Sequence, residues 1–408
     1  MVIRNISRRT LLKESIGLAV ASAAYMPLFG FGGSQDKKVF AYVGTYSGPG
    51  ASGGNGKGIY LFEMDPATGD LRLIKLAAEL RNPTWLSFDP SGRFLFAAND
   101  GEGSASGGGA VTAFAVNRSD GNLQLLNTVS SEGEGPAHLS VDASGKYVSV
   151  ANYAGGSIAV LPILPTGALG QATYARKDAG FVGPKNASSA PPGSFAISGH
   201  DGPHAHMIQA DPGNRFQLQT DLGQDRIYVF NFDGSSGKLT PIADAPFVSL
   251  PPGDGPRHFV FHRNGRWLYS LQEEASTVVF FHFDPATGAL QPQQTISTVP
   301  PGFTGTSFPS EILLSPEGRF LYAANRLHDT IAVFSLNDEG RLHSLGETST
   351  MGDYPRHIQL APGGAFMYAC NQHSDDITSF RVDRRTGLLT FTGQYIPVGS
   401  PACIVFLA

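Results

Sequence analysis

Apolar positions fall into short runs, each ended by a cluster of turn-forming residues, and the arrangement repeats along the chain. The marker is a proline, at Pro83, Pro136, Pro203, Pro256, Pro309, Pro355 and Pro401, giving intervals of 53, 67, 53, 53, 46 and 46 residues. After each of the first six comes an apolar run, a tight turn and a second apolar run. The turns include Asp89-Pro-Ser-Gly-Arg93, Asp142-Ala-Ser-Gly-Lys146, Asp211-Pro-Gly-Asn-Arg215 and Ser315-Pro-Glu-Gly-Arg319. Such Asp/Pro/Gly/Asn clusters close hairpins. A third run alternates with period two, as in Thr330-Ile-Ala-Val-Phe-Ser335, and a turn such as Thr287-Gly288 leads into a fourth. Each repeat therefore reads as a four-stranded antiparallel meander, with strands labelled A to D from the proline onward.

Four-stranded repeats of this length match propeller blades. The expected fold is all-β: a seven-bladed β-propeller over residues 39–408. Its first repeat begins at strand B (39–45), with C at 58–64 and D near Leu71. The missing strand A is expected from Pro401 to Leu407, so the C-terminal strand closes the first blade and leaves no long sheet edge open.

Register then selects a face. Strand A lines the central channel, and the start of A lies beside the end of B. Both positions converge on one channel mouth in every blade, where rigid strands can hold convergent polar groups. Aligned on the turns, which puts Ala205 rather than Pro203 at the proline position of blade 4, the first position after it holds Thr84, Ala137, His206, Arg257, Ser310, Arg356 and Ala402. The next holds Trp85, His138, Met207, His258, Glu311, His357 and Cys403. The last residue of B is Gly44, Asn99, Asn152, Asp221, Gln272, Asn325 and Asn371. The one after it is Thr45, Asp100, Tyr153, Leu222, Glu273, Arg326 and Gln372. Asn, Asp or Gln fills six of the seven places in the third column, which favours loop-tying for Asn99, Asn325 and Asn371. The fourth column differs in every blade, as a ligand-facing position would.

Composition narrows the partners. Of 408 residues, 50 are glycine and 28 proline, as many short strands joined by turns require. Charged residues are 15%, the formal net charge is -5, and no basic stripe exists, so no nucleic-acid partner is expected. No membrane span is expected after the N-terminus. Residues 1–33 read as a separate leader. Arg8 and Arg9 precede Lys13, an apolar stretch from Ile16 to Phe31 and the small-residue site Ala21-Ser22-Ala23. That order matches a twin-arginine export signal, implying the export machinery as a partner and a periplasmic or secreted destination. The two cysteines, Cys370 and Cys403, fall in strands of adjacent blades and are expected to serve as small apolar residues.

The polar material concentrates in blades 3 to 6: His138, Asn152, Tyr153, His204, His206, Asp221, Arg257, His258, Glu273 and Arg326. Two arginines facing a channel can bind an anion or polarise a carbonyl. A glutamate and a histidine beside them can activate water. An ion-pair network that merely plugs the channel is the alternative. His204 and His206 suggest a metal, but spacing marks no third ligand, so no metal is expected. The glycine-rich segments 47–58 and 101–109 precede no helix and are not phosphate loops. Residues 177–202, rich in Pro, Gly, Ala and Ser, read either as a lid over the site or as a disordered insertion.

Several strings together resemble the lactonase family of seven-bladed propellers, which includes propeller-type 6-phosphogluconolactonases and carboxymuconate cyclases. They are Tyr42-Val-Gly-Thr-Tyr46, Asn152-Tyr-Ala-Gly-Gly-Ser157, Pro203-His-Ala-His206, Asp221-Leu-Gly-Gln-Asp225, Gly255-Pro-Arg-His258, Asn325-Arg326 and Tyr354-Pro-Arg-His357. The resemblance covers nearly everything after the leader. It implies a catalytic set of His206 (or His204), Arg257, Glu273 and Arg326, with His138, Asn152, Tyr153, His204, Asp221 and His258 as substrate-binding residues. It also implies hydrolysis of a sugar lactone without metal or organic cofactor, the arginines holding the carbonyl and Glu273 serving as base. A cycloisomerase acting on a muconate-type acid and a non-catalytic binding propeller are the alternatives. Two departures stand out: Gln272-Glu273-Glu274 replaces the family's usual Asn-Glu-Leu, and Asn99-Asp100 replaces Asn-Glu.

Overall fold

The computed structural model describes residues 38–48, 53–101, 108–196, 199–243 and 246–408. The leader, with Arg8 and Arg9, lies outside the described residues, as do parts of both glycine-rich insertions.

Seven sheets of the described residues are blades, each built on a meander of four antiparallel strands, and a small two-stranded sheet pairs Ser47–Gly48 with Gly54–Asn55. The inner two strands of the blades are Pro83–Phe88 with Phe94–Asn99, Pro136–Val141 with Tyr147–Asn152, and Ala205–Ala210 with Phe216–Asp221. The series continues through Pro256–Phe261 with Trp267–Gln272, Pro309–Leu314 with Phe320–Asn325, and Pro355–Leu360 with Phe366–Asn371. The first blade is assembled from both ends of the described chain. Pro401–Leu407 pairs with Val39–Thr45, and Gly58–Met64 and Leu71–Glu79 complete the sheet. The fourth blade adds a short strand, Phe247–Ser249, to its third strand.

The A–B turns show why the repeat is legible. The Asp142 carboxylate accepts the amides of Ser144, Lys146 and Tyr147, and Asp211 does the same for Gly213, Arg215 and Phe216. One position in each turn is left-handed. Glycine fills it at Gly92 (φ 65°) and Gly145 (φ 68°), and Asn214 (φ 54°) fills it in blade 4. Only glycine, or asparagine at small cost, adopts that region freely.

The apolar core is divided among the blade interfaces. Each of its seven clusters joins residues of two neighbouring blades, and one of them joins blade 7 to blade 1 through Tyr368, Cys370, Val43 and Ile404. Strand B is buried along its whole length in most blades, so it reads as a continuous apolar run rather than an alternating one. Four tyrosines of strand B also reach into the next blade: Tyr42, Tyr269, Tyr322 and Tyr368 donate to the carbonyls of Gly121, Gly340, Gly387 and Gly69. Cys370 and Cys403 are free and buried. No described helix is long and apolar enough to cross a membrane.

Candidate active site

At the start of most inner strands the register slips between the proline position and a residue two or three places on, as at Pro136/His138, Pro256/Phe259 and Pro355/His357. Such a bulge re-aims side chains. Here it lets two successive residues of one strand contribute to the channel.

The second column forms a floor. Trp85 meets the rings of His138, His258 and His357 at 4.5, 5.1 and 5.2 Å, and all three histidines are buried. Glu311 holds two of them, His258 at 3.1 Å and His357 at 3.7 Å. Burial, reinforced by nearby Arg257, keeps these imidazoles well below the usual histidine range, His357 down to about 4. Burial pushes the Glu311 carboxyl up.

Next to this floor lies a charged cluster. One oxygen of Glu273 stands 2.8 Å from Arg257 Nε and 2.5 Å from Arg326 Nη2. Both contacts are buried ion pairs. Arg326 further donates to the Phe308 carbonyl (2.8 Å) and to Tyr354 Oη (3.4 Å). Arg257 donates to the Ser310 carbonyl. Burial and the neighbouring Arg326 charge lower Arg257 to about 10. His206 lies at the edge of this cluster. Its ring meets Tyr153 at 5.3 Å and His258 at 5.0 Å, and its Nδ1 has no hydrogen-bond partner among the described residues. Burial, then the Arg257 charge, holds it well below the ordinary range, so it stays neutral.

Above these groups opens a cavity of about 430 Å³, within the range of small-molecule sites. Its lining includes Tyr46, Thr84, Asp100, Tyr153, His206, Glu273, Arg326, Tyr354, Arg356, Gln372 and His373, from all seven blades. Among the described residues no group of three or more His, Cys, Asp or Glu is spaced to hold a metal ion.

The family description "Lactonase, 7-bladed beta-propeller" matches residues 40–406. This chain belongs to that family. It is 32% identical over 371 residues to a 6-phosphogluconolactonase of Bacillus subtilis, covering 91% of this chain and 99% of the relative. A 6-phosphogluconolactonase of Formosa agariphila is 29% identical over 303 residues, 73% of this chain and 80% of that one. Among solved structures, a periplasmic gluconolactonase of Pseudomonas aeruginosa superposes with a TM-score of 0.79 at 29% identity. That alignment covers 91% of this chain and 99% of the other.

Within this lactonase-family chain, the structure sorts the residues singled out from the sequence into three groups. His206, Glu273, Arg326 and Tyr153 line the cavity together. Arg257 touches Glu273 but is 3% exposed and lies behind it. His138 and His258 belong to the floor. His204 stands behind the wall rather than in it: it stacks on Tyr153 at 4.4 Å, while Nδ1 meets the Tyr153 carbonyl and Nε2 meets Asp201. Asn152 and Asp221 are buried tethers. Asn152 donates to the Ser131 carbonyl, and Asp221 accepts the amides of His204 and Gln224. Asn99 and Asn325 likewise donate to the carbonyls of Arg81 and Thr298, the loop-tying job expected of that column.

One expectation needs correction, and one open alternative narrows. In blade 1 the alignment was one residue short. Pro401 pairs with Thr45, not Gly44, because the ladder shifts between those residues. Thr45 therefore takes the asparagine's place, bonding both the carbonyl and the amide of Gly58, and Tyr46 is the residue that faces the cavity. The segment 177–202, outside residues 197–198, is a tethered strap. Ser189 donates to Asp254 (2.5 Å), Gly199 N to Glu274 (2.7 Å), and His200 pairs with Asp225 (3.0 Å). Its Ser194 bridges to Gly305. The extra carboxylate Glu274 thus anchors the strap, and burial pushes it up to about 7. A Cβ on Gly199 would lie 2.9 Å from Tyr153 Oη, so the strap buttresses the wall closely.

Proposed function

We propose that this chain hydrolyses a sugar lactone in the cavity above the arginine–glutamate–arginine cluster. The supporting observation is one imidazole held neutral by burial, His206, sharing a sugar-sized cavity with Glu273 and Arg326 in a lactonase-family chain. In this reading His206 takes a proton from water as the water oxygen bonds to the lactone carbonyl carbon. Arg326 stabilises the tetrahedral oxyanion. Collapse breaks the bond to the ring oxygen, which takes the proton back from His206, and the product is the open hydroxy acid. General base catalysis of this kind is worth roughly a hundred- to ten-thousand-fold, and a fixed donor at the oxyanion several kcal/mol.

Glu273 takes a different part from the one read in the sequence. Its carboxylate already faces two guanidiniums, so we assign it to holding Arg326 and Arg257 in place, with the base role passing to His206. A lactone-opening assay over a panel of sugar lactones tests the proposal. Turnover well above the spontaneous rate, reduced in Arg326→Ala, supports it. A rate equal to buffer with every lactone refutes it and favours a binding propeller.

The paired arginines, Lys13 and the small-residue site of residues 1–33 support export of the folded chain by the twin-arginine route. The likeness to a periplasmic gluconolactonase agrees with that destination. Replacing Arg8 and Arg9 together by Lys should trap the precursor inside the cell. Mature protein appearing outside would contradict the export reading.

A further inference from the structure

Two guanidiniums line the cavity, Arg326 and Arg356, and a third, Arg257, lies behind Glu273; they are not equivalent. Arg257 and Arg326 share Glu273, and each also donates to a backbone carbonyl. Arg356, from the first column of blade 7, makes no hydrogen bond and no ion pair among the described residues. Its one contact of note is with the Tyr46 ring, 4.9 Å from the guanidinium carbon to the ring centre. An arginine planted on an aromatic face is oriented without using its N–H donors. Its charge is also felt inside the site, being among the causes that lower His206 and His258.

The surroundings of Arg356 do not neutralise it. Tyr46, Tyr354, Gln372 and Thr84 are uncharged and the nearby histidines of the floor are held neutral, while the Asp100 carboxylate lines the same cavity without forming an ion pair with Arg356. Tyr354 sits in the left-handed region at φ 63°, stacked on His373 at 4.0 Å. A bulky residue there is strained, and its ring also faces Arg326, 5.5 Å from the guanidinium carbon. Three arginines against two carboxylates, Glu273 and Asp100, leave this region with surplus positive charge, and Arg356 is the guanidinium without an ion pair among the described residues.

We propose that Arg356 is a specificity-determining residue, binding an acidic substituent that the substrate carries away from its ester ring. This rests on the lactonase reading. The lactone carbonyl would sit toward His206 and Arg326, and the acidic group would reach the Arg356–Tyr46 side. A charge-assisted contact in a partly desolvated site corresponds to about ten- to a hundredfold in affinity.

The test compares wild type, Arg356→Gln and Arg356→Lys. Inorganic phosphate binding is followed by calorimetry, and kcat and KM are measured for gluconolactone and for its 6-phosphate. Arg356→Gln should weaken phosphate binding at least tenfold. It should also lower the preference for the phosphorylated over the neutral lactone by at least tenfold, mainly through KM, with Arg356→Lys recovering part of both. Unchanged phosphate binding overturns the proposal, and so does an equal loss on both lactones. If neither lactone is turned over, the lactonase reading fails on its own. Phosphate binding still decides the subsite, its loss in Arg356→Gln supporting it and its retention refuting it.

Discussion

The two sides of the cavity are built by opposite rules. On the side of blades 4 to 6, charge is buried and answered: Glu273 between Arg257 and Arg326, each arginine also donating to a carbonyl. Across blades 7 and 1 the wall is largely aromatic, and its one guanidinium, Arg356, is left without an acceptor among the described residues. A network that is satisfied before the ligand arrives holds its geometry during reaction and needs no reorganisation. A wall that leaves a donor open is completed by the ligand. The difference therefore separates a side that does chemistry from a side that recognises.

The sharpest way to break this division is to remove the neutral base. His206→Asn should lower kcat by roughly a hundred- to ten-thousand-fold while the protein stays folded, which steady-state kinetics and circular dichroism would check together. A loss confined to KM would move His206 to the recognising side. Stability distinguishes the sides next. Glu273→Ala strands two buried guanidiniums and should cost about 3–5 kcal/mol in denaturant unfolding. Arg356→Gln breaks no ion pair and should stay within about 0.5 kcal/mol of wild type. Equal effects would mean that Arg356 is as deeply wired as the cluster.

The pH profile sharpens the same point. The active form of His206 is neutral, and burial with the nearby Arg257 charge depresses its folded value. Activity should hold as pH falls through about 6.5, where an unperturbed histidine protonates, and fail only below it as the imidazole gains its proton. Arg356→Gln removes one of the charges responsible and should move that acid limb upward. An acid limb centred at the ordinary histidine value in wild type would remove His206 as the base.

The smallest effect expected is none. Glu273 is committed to arginines and Glu311 to histidines, and among the described residues no three His, Cys, Asp or Glu side chains group to hold a metal ion. Dialysis against a chelator should therefore leave turnover unchanged, measured before and after adding divalent metal.

Much of this was legible in the residues. Turn clusters around a left-handed glycine, or asparagine in blade 4, marked the inner hairpins of blades 2 to 7, and the missing first strand pointed to Pro401–Leu407, the strand that pairs with Val39–Thr45. Strand register alone brought His206, Glu273 and Arg326 to one mouth. What escaped has physical causes. A bulge is invisible in a hydrophobic pattern, so second-column residues such as His138 and His258 were read with the site although they pack into its floor. Thr45 substitutes for an asparagine by bonding the same kind of loop with a hydroxyl, which hid Tyr46 one residue further on. The strap depends on contacts at long sequence separation, Ser189 with Asp254 and Gly199 with Glu274. Arg356 was in its column, but that it lacks a partner is a fact of three dimensions.

The most direct measurement is the time course of gluconolactone opening near neutral pH by wild type and His206→Asn at equal folded concentration. The account predicts opening well above the spontaneous rate for wild type and a rate at least a hundredfold lower, above background, for the variant. Indistinguishable rates for the two proteins would contradict it.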